Sequence, residues 1–79
     1  MKVYVKLWGL LREHHPGPNR SIALEVVLPA GATPADLGPA LNLPAKLVRN
    51  IFINNAAARL DTALNDGDQV SVFPPVVGG

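Results

Sequence analysis

The sequence predicts a small α+β domain in which one sheet is covered on one face by a short helical region. Three observations lead there. Four runs, at residues 2–8, 21–28, 50–54 and 69–73, alternate apolar and polar side chains with a period of two, the signature of half-buried strands. One helix-start signal, Thr33-Pro34-Ala35-Asp36, lies between the second and third runs. The chain has 79 residues, 48% of them apolar, enough for one domain with one core and no more.

The opening run, Lys2-Val-Tyr-Val-Lys-Leu-Trp8, puts Val3, Val5 and Leu7 on one face and Lys2, Tyr4, Lys6 and Trp8 on the other. Pro16-Gly17-Pro18-Asn19 is a dense set of breakers, so residues 9–20 read as loop. Residues 21–28 follow as a second strand, with Ile22, Leu24, Val26 and Leu28 on one side, completing an N-terminal hairpin with a long connection. Thr33 fits an N-cap, Pro34 the first helical position, and Asp36 the acid three residues after the cap. Gly38-Pro39 and Pro44 then divide the helical region into two short pieces, near 34–42 and 44–49, from which Leu37, Leu41, Leu47 and Val48 face the core. Residues 50–54 form a third strand, Asn55-Ala56 turns the chain, and residues 57–60 add a minor edge strand. Asn65-Asp66-Gly67-Asp68 is a tight turn in which Gly67 supplies a positive φ. Residues 69–73 form the last strand with Val70 and Val72 inward, ended by Pro74-Pro75, neither of which donates a ladder hydrogen bond.

The expected inner face is Val3, Val5, Leu7, Ile22, Leu24, Val26, Ile51, Ile53, Val70 and Val72; the outer face is Tyr4, Lys6, Trp8, Val27, Phe52 and Phe73. All four aromatic residues thus fall on the face that the helices do not cover. An apolar patch of that kind on a small domain marks a surface for a partner; the alternative is a local misplacement, such as Trp8 tucked under the loop that follows it.

Composition removes several function classes. There is no cysteine, hence no disulfide, no thiolate metal site and no cysteine nucleophile. The formal net charge is +1, too small to attract nucleic acid. It is unevenly spread: Lys2, Lys6, Arg12 and Arg20 stand against Glu13 in the first 20 residues, whereas Asp61, Asp66 and Asp68 have no basic neighbour over 60–79. No apolar run has the length of a membrane span and none resembles a signal-peptide core, so a soluble, cytoplasmic protein is expected. No paired carboxylates, phosphate-cradling glycine loop or nucleophile–base set is visible. The adjacent His14 and His15 point opposite ways on an extended backbone and read as loop residues, and Asp66 and Asp68 read as turn residues because further oxygen ligands for calcium are missing.

The end of the chain is its most informative part. Pro74-Pro75 favours an extended exit, Val76-Val77 prefers extended backbone, and Gly78-Gly79 carries no side chain. Residues 1–73 are therefore expected to form the domain and residues 74–79 a flexible extended tail reaching about 20 Å. A stiff stem with a bare tip suits entry of a terminal carboxylate into a narrow tunnel of another protein, since glycine permits close approach.

With these residues in view, the chain resembles the MoaD/ThiS group of ubiquitin-like sulfur carriers over almost its whole length. Leu11-Arg12-Glu13 resembles the Arg-Glu element of that family, Leu64-Asn65-Asp66-Gly67-Asp68-Gln69-Val70 its penultimate turn, and Phe73-Pro74-Pro75-Val76-Val77-Gly78-Gly79 its terminal signature. The proline pair is closer to the MoaD branch; the departure is the broken helical region. The resemblance implies a β-grasp fold with a mixed sheet of four to five strands. It also implies a protein co-substrate and not an enzyme. An E1-like enzyme would use ATP to adenylate Gly79, and a sulfur donor would convert the adenylate to a thiocarboxylate. As the small subunit of molybdopterin synthase, docked on a MoaE-like large subunit, the carrier would deliver that sulfur to the molybdenum or tungsten cofactor. Gly78, Val77 and Val76 would give the tail its clearance, and Phe73, Pro74, Pro75, Tyr4 and Phe52 would contact the partner. No bound cofactor, metal, nucleic acid or membrane is expected. Sulfur carriage for thiazole or tRNA thiolation, and conjugation of Gly79 to lysines as a protein modifier, are the alternatives.

Overall fold

The computed structural model describes residues 1–75. Five strands form one sheet: β1 (Lys2–Leu7), β2 (Leu24–Val27), β3 (Asn50–Ile53), β4 (Ala56–Ala58) and β5 (Gln69–Phe73), in the spatial order β2-β1-β5-β3-β4. The central pair, β1 and β5, is parallel, with Val5 beside Val70 and Leu7 beside Val72; the other three pairings are antiparallel. This is the expected mixed sheet, and the alternation sets its two faces. Val3, Val5, Leu7, Val70 and Val72 are all at most 1% exposed, so the inner face of the central pair is dry.

The helical region covers that face. A 3-10 turn (Pro34–Asp36) leads directly into α1 (Leu37–Leu41), and a further 3-10 turn (Ala45–Leu47) follows. Thr33 N–H donates to Asp36 Oδ2 at 2.8 Å, so the acid closes the entry to the helix as its spacing implied. Pro39 does not break α1. It lies in the first turn, where a backbone N–H has no intrahelical acceptor to lose. The helix ends at Asn42, in the left-handed region at φ 56°, and its N–H and that of Leu43 close the last turn on Pro39 and Gly38 carbonyls.

Other expectations require correction. Residues 9–14 are not loop: Gly9–His14 forms a 3-10 helix that drives Leu11 into the core at 0% exposure. The breakers at 16–19 act only after it. The second strand is shorter than residues 21–28, and Ile22 is 57% exposed instead of inward, because residues 15–22 are held by His15. That side chain is buried; its Nδ1 accepts from Gly17 N–H at 3.0 Å, and its Nε2 lies 2.8 Å from the Ile22 carbonyl. One ring nitrogen accepts and the other donates, so the pair of bonds selects the neutral Nε2–H tautomer. A histidine that reads as a free loop residue is thus a structural tie. The third strand stops at Ile53, and the turn is made by Asn54 and Asn55 (φ 50° and 68°), not Asn55-Ala56; β4 starts one residue earlier than expected. Two consecutive left-handed residues are what a tight hairpin of matching twist needs.

Asp68 fastens that hairpin to the turn before β5. Its Oδ1 accepts from Asn54 Nδ2 at 3.0 Å and its Oδ2 from Asn65 N–H at 2.8 Å, while Gln69 N–H donates to Asn54 Oδ1 at 3.0 Å. Gly67, at φ 85°, donates to the Lys2 carbonyl at 2.7 Å, and Asp66 Oδ1 accepts from Lys2 N–H at 2.7 Å, joining the same turn to β1. The aspartates are therefore spent on backbone N–H groups and the Asn54 amide, as a turn reading requires. Leu11, Leu28, Ala32, Leu37, Leu43, Val48 and Leu64 complete the core beyond the strand residues, Leu37 and Val48 as expected from the helical region. The surface ion pairs Lys2–Glu25 (3.9 Å) and Arg59–Asp61 (3.3 Å) are exposed and add little.

Replacing Leu11 by Ala should cost about 2–5 kcal/mol by urea unfolding, although it sits in a segment that reads as loop. Asp68→Ala should cost about 1–3 kcal/mol, since two donors lose their acceptor, with Glu13→Ala as an exposed control within about 0.5 kcal/mol.

Candidate functional site

The outer face of the sheet is where the sequence placed its aromatic residues, and the register explains how they meet. Leu7 is level with Val72, and Trp8 N–H continues the ladder to the Val72 carbonyl at 3.1 Å, so Trp8 comes beside Phe73. Their rings stack with centroids 5.2 Å apart and planes 11° from parallel. On the other side of β5, Phe52 faces Ser71 and lies diagonal to Phe73, which it meets edge-on at 5.6 Å. Lys6 Nζ sits 4.5 Å from the Trp8 ring centre, and the Arg12 guanidinium 5.4 Å from it. Trp8 Nε1 and Arg12 Nε are buried and have no hydrogen-bond partner among the described residues.

This cluster adjoins the exit of the chain. Gly9, Asn50, Phe52, Phe73, Pro74 and Pro75 line an open apolar groove of about 690 Å³. Asn50 pairs with Phe73 across β3 and β5, hence shares its face, and Asn50 Nδ2 donates to the Pro74 carbonyl at 3.1 Å. Gly9 adopts φ 56°, and a Cβ on it would lie 3.1 Å from Pro74 Cγ.

Of the site residues inferred from sequence, Phe52, Phe73, Pro74 and Pro75 come together in this groove. Tyr4 does not join them: it lines a separate concavity of about 420 Å³ with Lys6, Trp8, Gln69 and Ser71. Trp8 lines that concavity and stacks on Phe73, a residue of the groove, while Arg12 of the following 3-10 helix lies over its ring. Val76, Val77, Gly78 and Gly79 lie outside the described residues. Sequence reasoning passed over Gly9 and Asn50. Gly9 follows a strand with no turn motif around it, and Asn50 is one of several asparagines; only strand register reveals that both face Pro74.

No group of three or more His, Asp or Glu residues among the described residues is placed to hold a metal, and no helix there is long and apolar enough to cross a membrane.

Comparison with known proteins shows the family. The ThiS family model matches residues 5–79, and the chain belongs to that family, the ubiquitin-like β-grasp sulfur carriers. The chain is similar to the crystal structure of SAMP1 from Haloferax volcanii, at 30% identity over 100% of both chains with a TM-score of 0.71. A second crystal structure, described as small archaeal modifier protein 1 of H. volcanii, matches at 28% identity over 95% of this chain and 98% of that one, with a TM-score of 0.70. A protein from Pyrococcus furiosus, described as a putative molybdopterin converting factor, subunit 1, matches at 29% identity over 95% of this chain and 98% of its own, with a TM-score of 0.67. No curated protein matches the chain. Small carriers of this family are generally not enzymes.

Trp8 is the single tryptophan, so it reports directly on the cluster. Phe73→Ala removes the stacked ring and should shift Trp8 emission to longer wavelength and raise its quenching by acrylamide, with a stability loss of about 1–3 kcal/mol. Unchanged emission would mean that the stacking does not exist in solution.

Proposed function

We propose that the protein is a sulfur carrier for molybdopterin synthesis, acting in the cytoplasm as the small subunit of a molybdopterin synthase. The observation that carries this reading is the exit of the chain. β5 lies next to β1 at the centre of the sheet and ends in Phe73-Pro74-Pro75 beside an apolar groove, and the family match continues from there through residue 79. The likeness to the P. furiosus molybdopterin converting factor supports the choice of pathway.

The chemistry asks little of the carrier beyond a reachable carboxylate. The Gly79 carboxylate attacks the α-phosphorus of ATP on an E1-like enzyme and releases pyrophosphate. The resulting acyl-adenylate has AMP as a good leaving group, which the free carboxylate lacks. A sulfide-level donor then attacks the acyl carbon, expels AMP and leaves a terminal thiocarboxylate. Val76, Val77 and Gly78 carry that group into the partner's site, where the missing side chain of Gly78 gives clearance. ATP is bound and consumed by the activating enzyme, and once AMP has left, the sulfur is the group that the carrier holds. Phe52, Phe73 and Pro75 offer the apolar contact for a MoaE-like large subunit, with Tyr4 at the periphery of that surface.

A second reading is favoured by the likeness to SAMP1, described as a modifier protein. In it a lysine amine, instead of sulfide, attacks the same adenylate and forms an isopeptide bond at Gly79. One intermediate serves both outcomes, and the acceptor decides.

Incubation with a cognate activating enzyme, ATP and sulfide should raise the intact mass by the exchange of one oxygen for sulfur, mapped to Gly79. Deleting Gly79, or adding residues after it, should abolish that gain while leaving thermal unfolding unchanged. Sulfur acceptance by the extended protein would refute the carrier reading. Lysine adducts in host lysate that vanish with the diglycine would favour the modifier reading.

A further inference from the structure

We propose that Gly9 and Asn50 form an intramolecular clamp on Pro74 that aims the chain's terminal segment, making both of them positioning residues for activation of Gly79. The proposal rests on the sulfur-carrier reading above, and it concerns how the tail leaves the domain.

β5 cannot hold its own end. Pro74 has no N–H, so the ladder stops at Phe73, and an unsupported chain would swing from that point. Three constraints meet there instead. The pyrrolidine ring fixes φ of Pro74 near −65°, and the following proline restricts its ψ to extended values. The ring lies against the Gly9 backbone: a Cβ on residue 9 would stand 3.1 Å from Pro74 Cγ, tighter than ordinary contact, and 3.4 Å from Pro74 Cδ, and φ 56° lies in the left-handed region that favours glycine. On the opposite side of the exit, Asn50 Nδ2 donates to the Pro74 carbonyl at 3.1 Å. Ring, backbone torsions and carbonyl of Pro74 are all restrained, and the Pro75 ring fixes φ of the next residue, so the direction of the exit is set through Pro75.

Such a clamp fixes direction before the partner arrives. A tail that leaves the domain along one path loses less conformational freedom on entering a tunnel than one that hinges at the sheet edge. Pro74 is then engaged mainly within its own chain, and partner contact falls to Phe52, Phe73 and Pro75.

Two measurements test this. Cross-peaks between Gly9 Hα and Pro74 Hγ in NOE spectra of the full chain report the clamp irrespective of any reaction. Steady-state thiocarboxylate formation, with the carrier as the varied substrate, reports its role. Asn50→Ala and the isosteric Asn50→Asp, which lacks the donor, should each raise KM about two- to tenfold, by more than either lowers kcat, at an unchanged unfolding midpoint. Gly9→Ala should raise KM comparably, and its penalty should shrink to less than about twofold in a Pro74→Ala background, since the added methyl then has no ring to displace. If Gly9→Ala reduces the folded population, the Asn50 pair decides alone. Absent cross-peaks in the wild type, or wild-type KM in both Asn50 variants, would overturn the proposal. A full Gly9→Ala penalty without the proline ring would remove Gly9 from it. Failure of the wild type to accept sulfur at all would instead refute the carrier reading, with the cross-peaks still deciding whether the clamp exists.

Discussion

The parallel pairing of β1 with β5 is the constraint on which the rest of the structure depends. It brings the first and last strands together at the centre of the sheet, with Val5 beside Val70 and Leu7 beside Val72, and buries the driest part of the core. A parallel pair requires a crossover, and every element between the two strands belongs to it: the hairpin partner β2, the helical region and the β3–β4 hairpin. The same register puts Trp8 against Phe73 on the opposite face. The core and the aromatic surface are thus two sides of one set of hydrogen bonds.

Polar residues secure that pairing at both ends. Where β5 begins, Asp68, Asn54 and Asp66 tie the preceding turn to β1 and to the β3–β4 hairpin. Where it finishes, Asn50 and Gly9 meet Pro74. The sheet's central strand is consequently anchored at its entry and its exit. His15 plays a similar part for the long connection, bridging Gly17 and Ile22. Few of these contacts contribute much to stability individually; their effect is to choose one path for loops that carry little apolar surface.

A single chemical idea connects family membership and architecture. A backbone carboxylate is available to any protein, but it becomes a useful carrier only when it can be inserted into another protein's site. Placing the final strand centrally and following it with Pro74-Pro75 stiffens the exit from the sheet. The absence of cysteine from the sequence is consistent with the proposed carriage of sulfur on backbone and not on a side chain.

Much of this was legible in the sequence. Alternation identified four strands, their inner residues except Ile22, and the uncovered aromatic face, while Thr33, Pro34 and Asp36 marked the helix start; each depends on local periodicity or local hydrogen bonding, which a linear sequence records. The terminal Phe-Pro-Pro and diglycine pointed to the family for the same reason. Tertiary structure decided what depends on distant partners. Leu11 enters the core from a segment that looks like loop because a 3-10 helix delivers it, and Ile22 leaves the expected face because His15, seven residues earlier, captures its carbonyl. Pro39 is tolerated because of its place in a helical turn, and Gly9 and Asn50 matter only because the strand register sets them beside Pro74. Period and propensity act over a few residues, whereas the acceptor that a buried donor finds, and the backbone that a proline ring meets, are fixed only when the sheet closes.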